Sequence, residues 1–125
     1  MPENGLSGRR VLVVEDEYFL ADEIDRALRA AGAAVLGPVP SVEAALGLMQ
    51  TGELPDIATI DINLGGEMAY PVADELLARG VPFLFTTGYD QTSLPERHAA
   101  VRRLEKPVEA RTILHELGRL GTDAA

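Results

Sequence analysis

The chain contains no cysteine, which excludes a disulfide framework, a thiol nucleophile and any cysteine-ligated metal centre. Histidine is nearly as scarce: His98 and His115 are the only two, and they form no ligand spacing. Each reads as a surface residue rather than a catalyst. Bases are few, with 11 Lys and Arg against 20 Asp and Glu and a net charge of −9. That balance repels phosphate backbones and anionic lipid, so neither nucleic acid nor a membrane surface is an expected partner. No apolar run approaches the ~20 residues of a membrane span. Residues 1–10 lack the apolar stretch of a secretory signal, and there is no internal repeat or interdomain linker. A soluble cytoplasmic domain is the expectation. What remains is ordinary globular composition, 46% hydrophobic and 25% charged, in 125 residues, a length suited to one domain with one core.

The apolar runs are short and end on polar residues. Val11, Leu12, Val13 and Val14 read as a strand buried on both faces, stopped by Glu15-Asp16-Glu17. A helix is expected over residues 18–31, with Leu20, Ile24 and Leu28 inward. Asp22 with Arg26, and Asp25 with Arg29, form pairs four apart on its wet side. Residues 34–36 are a second short strand, closed by Gly37-Pro38. Ser41 is a plausible N-cap for a helix to residue 50. Ile57, Ala58, Thr59 and Ile60 form the third strand, which runs into Asp61 and is released by Leu64-Gly65-Gly66. Pro71 suits the first turn of a helix that buries Val72, Ala73, Leu76 and Leu77. Residues 81–86 are a fourth strand followed by the loop Thr87-Gly88-Tyr89-Asp90. Residues 91–101 carry the weakest pattern. Residues 102–105 are a fifth strand before Lys106-Pro107, and a last helix spans 108–120.

Five alternations of strand and helix predict a parallel sheet covered on both faces. Right-handed crossovers leave few topologies. The flavodoxin-like (βα)5 sandwich with strand order 2-1-3-4-5 fits five units of this size. In that order the first and third strands are neighbours, so Glu15 and Asp16 sit beside Asp61 where the winding reverses. Three convergent carboxylates raise one another's pKa values. A hard divalent cation such as magnesium relieves this, because it takes oxygen ligands; solvated helix-capping acids are the bland alternative. Thr87 and Lys106 arrive at the same edge. A hydroxyl, a lysine, a cation and an aspartate are what a phosphorylated aspartate requires.

These residues carry a resemblance. Glu15-Asp16 after the first strand, Asp61 after the third, Thr87-Gly88 after the fourth and Lys106-Pro107 after the fifth are similar to the motifs of receiver domains of two-component response regulators, over essentially the whole chain. The resemblance implies that Asp61 accepts a phosphoryl group from a histidine kinase or a histidine phosphotransfer protein. It implies that Asp16, Asp61 and the main-chain carbonyl of Asn63 ligate Mg2+, with Glu15 acting through water. It also implies roles for Thr87 and Lys106 at the phosphoryl group, and a Lys106-Pro107 bond that is often cis. The stretch Pro82-Phe83-Leu84-Phe85-Thr86-Thr87-Gly88-Tyr89 resembles an alphaproteobacterial receiver subgroup, some of whose members act in general stress signalling.

The chain departs from the family pattern in three places, the first being a fourth helix that looks shortened, since Pro95 leaves room for little more than one turn. Gly65 stands where receivers usually carry Pro. Arg103 stands where many carry the Tyr or Phe that turns inward as a switch. Burying that guanidinium unpaired would cost several kcal/mol, roughly. Gly88 is permissive and residues 91–101 have too few apolar anchors, so the segment after Thr87, up to Val101, is expected to dock loosely and to carry the switch by reorganising.

The expectation is a single-domain response regulator (residues 1–125, core about 9–120) without an output domain, monomeric or weakly dimeric. It would be no enzyme beyond its own phosphorylation and dephosphorylation. Its output would be contact with another protein, or service as a phosphate sink. A flavodoxin-like cofactor binder is disfavoured, because Glu15-Asp16-Glu17 stands where a flavin phosphate loop would be. A phosphatase with Asp61 as nucleophile needs a second acid shortly after it as general acid, and position 63 is Asn. A pseudo-receiver that is never phosphorylated is the third alternative.

Overall fold

The computed structural model describes residues 5–52, 54–88 and 94–124, the last three by backbone alone. Five parallel strands form the main sheet: β1 (Arg10–Val14), β2 (Ala34–Val39), β3 (Ile57–Asp61), β6 (Phe83–Thr87) and β7 (Arg103–Glu105). Their order is β2-β1-β3-β6-β7. This is the expected flavodoxin-like order. The labels are displaced only because β4 (Asn63–Leu64) and β5 (Glu67–Met68) form a separate antiparallel hairpin.

The strands are apolar in continuous runs because both faces of the sheet are covered, and alternate side chains go to opposite layers. Leu12, Val14, Ala58, Ile60, Phe83 and Phe85 pack on one face. There they meet α2 (Val42–Gln50) and α3 (Tyr70–Ala78), which bring Ala45, Met49, Val72 and Leu76. Val11, Val13, Ile57 and Leu84 pack on the other face. That face is closed by α1 (Tyr18–Ala30) and α4 (Ala110–Ala124), through Ile24, Leu28, Ile113 and Leu117. The expected ion pairs Asp22–Arg26 and Asp25–Arg29 lie along the outside of α1. Ser41 caps α2 by accepting the Ala44 N–H at 3.1 Å.

Four local readings are corrected, besides Leu77 of α3, which was expected inward and stands 51% exposed. The second strand does not close at Gly37-Pro38 but continues to Val39, where Val39 pairs with Val14 after a register irregularity. Strand β2 is at the sheet's edge, where the donor that proline lacks is dispensable. Gly37 has φ +93°, and a Cβ there would meet the Val39 nitrogen at 2.8 Å. Leu64-Gly65-Gly66-Glu67 is not an open loop but a two-residue hairpin turn. Gly65 and Gly66 both have positive φ, +64° and +99°, as a type I′ turn requires. Proline, fixed near φ −65°, cannot occupy position 65 in this turn, which accounts for the departure from the receiver pattern.

The third correction concerns the fourth crossover. Among the described residues a single 3-10 turn, Glu96–His98, follows β6, the shortened element that Pro95 leaves room for. That segment is nevertheless firmly docked over residues 94–101, because Leu94 and Val101 pack on the core. Fourth, His98 is no surface residue: it is fully buried among Tyr70, Phe83 and Phe85. Residues 89–93 of the expected switch segment, Tyr89 included, lie outside the described residues. His115 is exposed.

Candidate functional site

The sheet delivers four strand ends to one rim. Val14 pairs with Ile60, so Glu15 and Asp16 emerge beside Asp61. Asp61 pairs with Thr86 on its other side, and Thr87 with Glu105, the residue before Lys106. One carboxylate oxygen from each of Glu15, Asp16 and Asp61 lies within 4.8 Å of the other two. Glu15, Asp61 and Thr87 are buried, whereas Asp16 and Asn63 are exposed. Burial of two acids without a cation would be unfavourable, and Lys106 provides one. Its Nζ donates to Glu15 Oε2 at 2.9 Å and to Asp61 Oδ2 at 2.9 Å. The Asn63 N–H donates to the other Asp61 oxygen at 3.1 Å. The Asn63 side chain accepts the Gly66 N–H at 2.7 Å, which closes the glycine turn under the cluster. The Thr87 hydroxyl donates to the neighbouring Gly88 carbonyl at 3.2 Å, long for an O–H···O bond. The Lys106-Pro107 bond is cis.

The electrostatics follow from this crowding. Burial, reinforced by the Asp61 charge, pushes the Glu15 carboxyl up to about 7, against the pull of Lys106. Burial and Asp61 also raise Asp16. Burial alone would lower the Lys106 pKa, but the hydrogen bonds it donates to Glu17, Asp61 and Glu15 hold it well above the ordinary lysine range. One ammonium shared among several carboxylates leaves net negative charge on the rim. The donor set is all oxygen, partly open to solvent through Asp16 and under-neutralised. It fits a hard divalent cation such as Mg2+ and does not fit a soft metal.

The comparisons agree with this geometry. No family model matches the chain. Sensory transduction protein LytT of Bacillus subtilis (strain 168) is 30% identical over 112 residues, which cover 86% of this chain and 46% of LytT. The chain thus spans less than half the length of that curated relative. The solution structure of SdrG from Sphingomonas melonis Fr1 superposes with a TM-score of 0.75 at 32% identity, covering 94% of this chain and 98% of SdrG. The REC domain of the PhyR response regulator from Erythrobacter litoralis gives a TM-score of 0.74 over 94% of this chain and 90% of its own; at 21% identity it speaks for the fold alone. The chain belongs to the receiver domains of two-component response regulators. Membership gives this receiver a role in two-component signalling. None of its described helices is long and apolar enough to cross a membrane.

Sequence reasoning brought Glu15, Asp16, Asp61, Thr87 and Lys106 to the receiver's rim, and the structure places all five there with Asn63 beside them. It passed over two groups. Glu17 reaches Lys106 Nζ at 2.6 Å; the only signal for it was a third acid in one run. Asp74 on α3 binds Arg97 through both of its oxygens and His98 Nε2 at 2.8 Å. No local pattern links residues so far apart in sequence.

Proposed function

We propose that the receiver accepts a phosphoryl group on Asp61 from a histidine kinase or a histidine phosphotransfer protein. The carrying observation is the shared Lys106 ammonium, bonded to buried Asp61 and buried Glu15 while Asp16 stands open beside them. An Asp61 oxygen attacks phosphorus in line. The Oδ–P bond forms as the donor's P–N bond breaks, and the leaving nitrogen takes up a proton. Lys106 pairs with the phosphoryl oxygens. The Thr87 hydroxyl leaves its long bond to Gly88 and donates to one of them. Asp16, Asp61 and the Asn63 carbonyl would hold Mg2+, with Glu15 through water. When bound, the ion neutralises charge on the transferring oxygens.

The output in this reading is a protein contact or a phosphate sink, in the cytoplasm, with stress signalling the pathway suggested by the strand-four motif. A protein partner is supported by Tyr18 and Phe19, large rings that stand 76% and 82% exposed at the start of α1, next to the site. A phosphatase reading is disfavoured because Asn63 is a turn former and offers no proton. Incubation with Mg2+ and acetyl phosphate, followed by intact mass, tests the proposal. It predicts one stable phosphoryl adduct. Steady release of phosphate from many substrates would favour the phosphatase, and no reaction would favour a pseudo-receiver.

A further inference from the structure

Lys106 is saturated. An ammonium has three N–H donors and no acceptor, and in this structure Glu15, Asp61 and Glu17 take one each, at 2.9, 2.9 and 2.6 Å. The three partners are not equivalent. The Glu15 and Asp61 side chains are 2% and 6% exposed, whereas that of Glu17 is 60% exposed. Glu17 is also the N-cap residue of α1, yet its side chain makes no capping hydrogen bond, the usual work of that position. It turns to the lysine instead. Its backbone is fixed independently, because the Glu17 N–H donates to Glu15 Oε2 at 3.1 Å. The side chain can therefore leave Lys106 without disturbing the helix. Glu17, Lys106, Phe19, Leu20 and Gly88 line one open groove at the rim.

We infer that Glu17 is an anionic gate on Lys106, holding the lysine's third N–H in the unphosphorylated receiver and yielding it when a phosphoryl group arrives. This rests on the phosphoacceptor reading of Asp61. A phosphoryl group on Asp61 brings several acceptor oxygens, of which one can take the N–H that Asp61 held; a second bond from Lys106 needs a further donor, so one of the two glutamates must withdraw. Glu17 is the one that withdraws, because water receives it and Glu15 is enclosed by protein. A solvated ion pair is inexpensive to open. The same carboxylate opposes an incoming anionic donor until it swings away. Glu17 is thus a positioning residue acting through Lys106, and it slows uptake of phosphate from anionic donors.

The test is the rate of phosphoryl gain from acetyl phosphate with Mg2+, read by intact mass, in wild type, Glu17→Gln, Glu17→Ala and Glu43→Gln. The last removes the same charge from α2, across the sheet. Thermal unfolding confirms that each variant is folded. The gate predicts that both Glu17 variants react roughly fivefold faster than wild type at low ionic strength, as removal of one nearby solvated charge allows. It predicts that the gap closes near 1 M salt, where the screening length is about 3 Å. Glu43→Gln should match wild type. Unchanged or slower rates in the Glu17 variants would overturn the gate while leaving Asp61 as phosphoacceptor. So would an acceleration insensitive to salt, or one shared by Glu43→Gln. Absence of any phosphoryl gain in wild type would overturn the phosphoacceptor reading, and the gate with it.

Discussion

At the scale of single residues, the acidic pair divides its work by depth. Asp16 is exposed and free to meet a hydrated ion, while Glu15 is buried and already bonded to Lys106. Mg2+ should therefore raise the unfolding temperature of wild type. Asp16→Ala should abolish that shift and Glu15→Ala should only reduce it; equal shifts in wild type and Asp16→Ala would contradict the assignment. Glu15 also makes the metal-free protein sensitive to pH. Its carboxyl titrates at about 7 in the fold against an ordinary 4.5. Between those values the folded chain keeps a proton that the unfolded chain has lost, so stability falls as pH rises through the window. Denaturation in chelator at pH 5 and pH 7 should show this fall, and Glu15→Gln should flatten it. A rise in stability over the same window, from which Glu15→Gln does not differ, would argue against a protonated Glu15.

At the scale of elements, the segment between β6 and β7 owes its place to one latch. Asp74 on α3 accepts from Arg97 twice and from His98 Nε2. An ionised carboxylate only accepts, so His98 carries a proton on Nε2, and Nδ1 is left buried without a partner among the described residues. Asp74→Ala would orphan the second nitrogen as well. We expect a loss of ~1–3 kcal/mol, the penalty of an unsatisfied buried polar group, with hydrogen exchange accelerating in residues 94–101 ahead of β1 and β3. Unchanged protection there would show that the apolar contacts of Leu94 and Val101 suffice. Arg97 holds the Asp74 carboxyl below its ordinary range, so the latch is complete above that range and weakens as pH falls through the lowered value. The elements themselves were legible where periodicity was strong. The runs Val11–Val14 and Ile57–Ile60, the stripe of Leu20, Ile24 and Leu28, and the Ser41 cap all appear where expected. That only one turn fits after Pro95 was legible; that it docks was not, because one histidine and one long-range carboxylate hold it and neither produces a period.

At the scale of the molecule, the net charge of −9 hides an uneven distribution. Most ion pairs lie outside, along α1 and around the edges. The acids that matter converge on one rim because parallel winding places successive strand ends together. That convergence could be read from the order of motifs alone, since strand ends with acids at 15–16 and 61, a hydroxyl at 87 and a lysine at 106 leave few arrangements. Which carboxylates Lys106 would bind could not be read, because that depends on side-chain depth. The account stands on Asp61 being the nucleophile of this rim. Asp61→Asn preserves shape and the capacity to accept the Asn63 N–H, but offers no attacking carboxylate oxygen. Wild type and Asp61→Asn, both shown to be folded, should be incubated with acetyl phosphate and Mg2+ and weighed intact. The account predicts a phosphoryl adduct on wild type and none on the variant. An adduct on Asp61→Asn at the wild-type rate would contradict it.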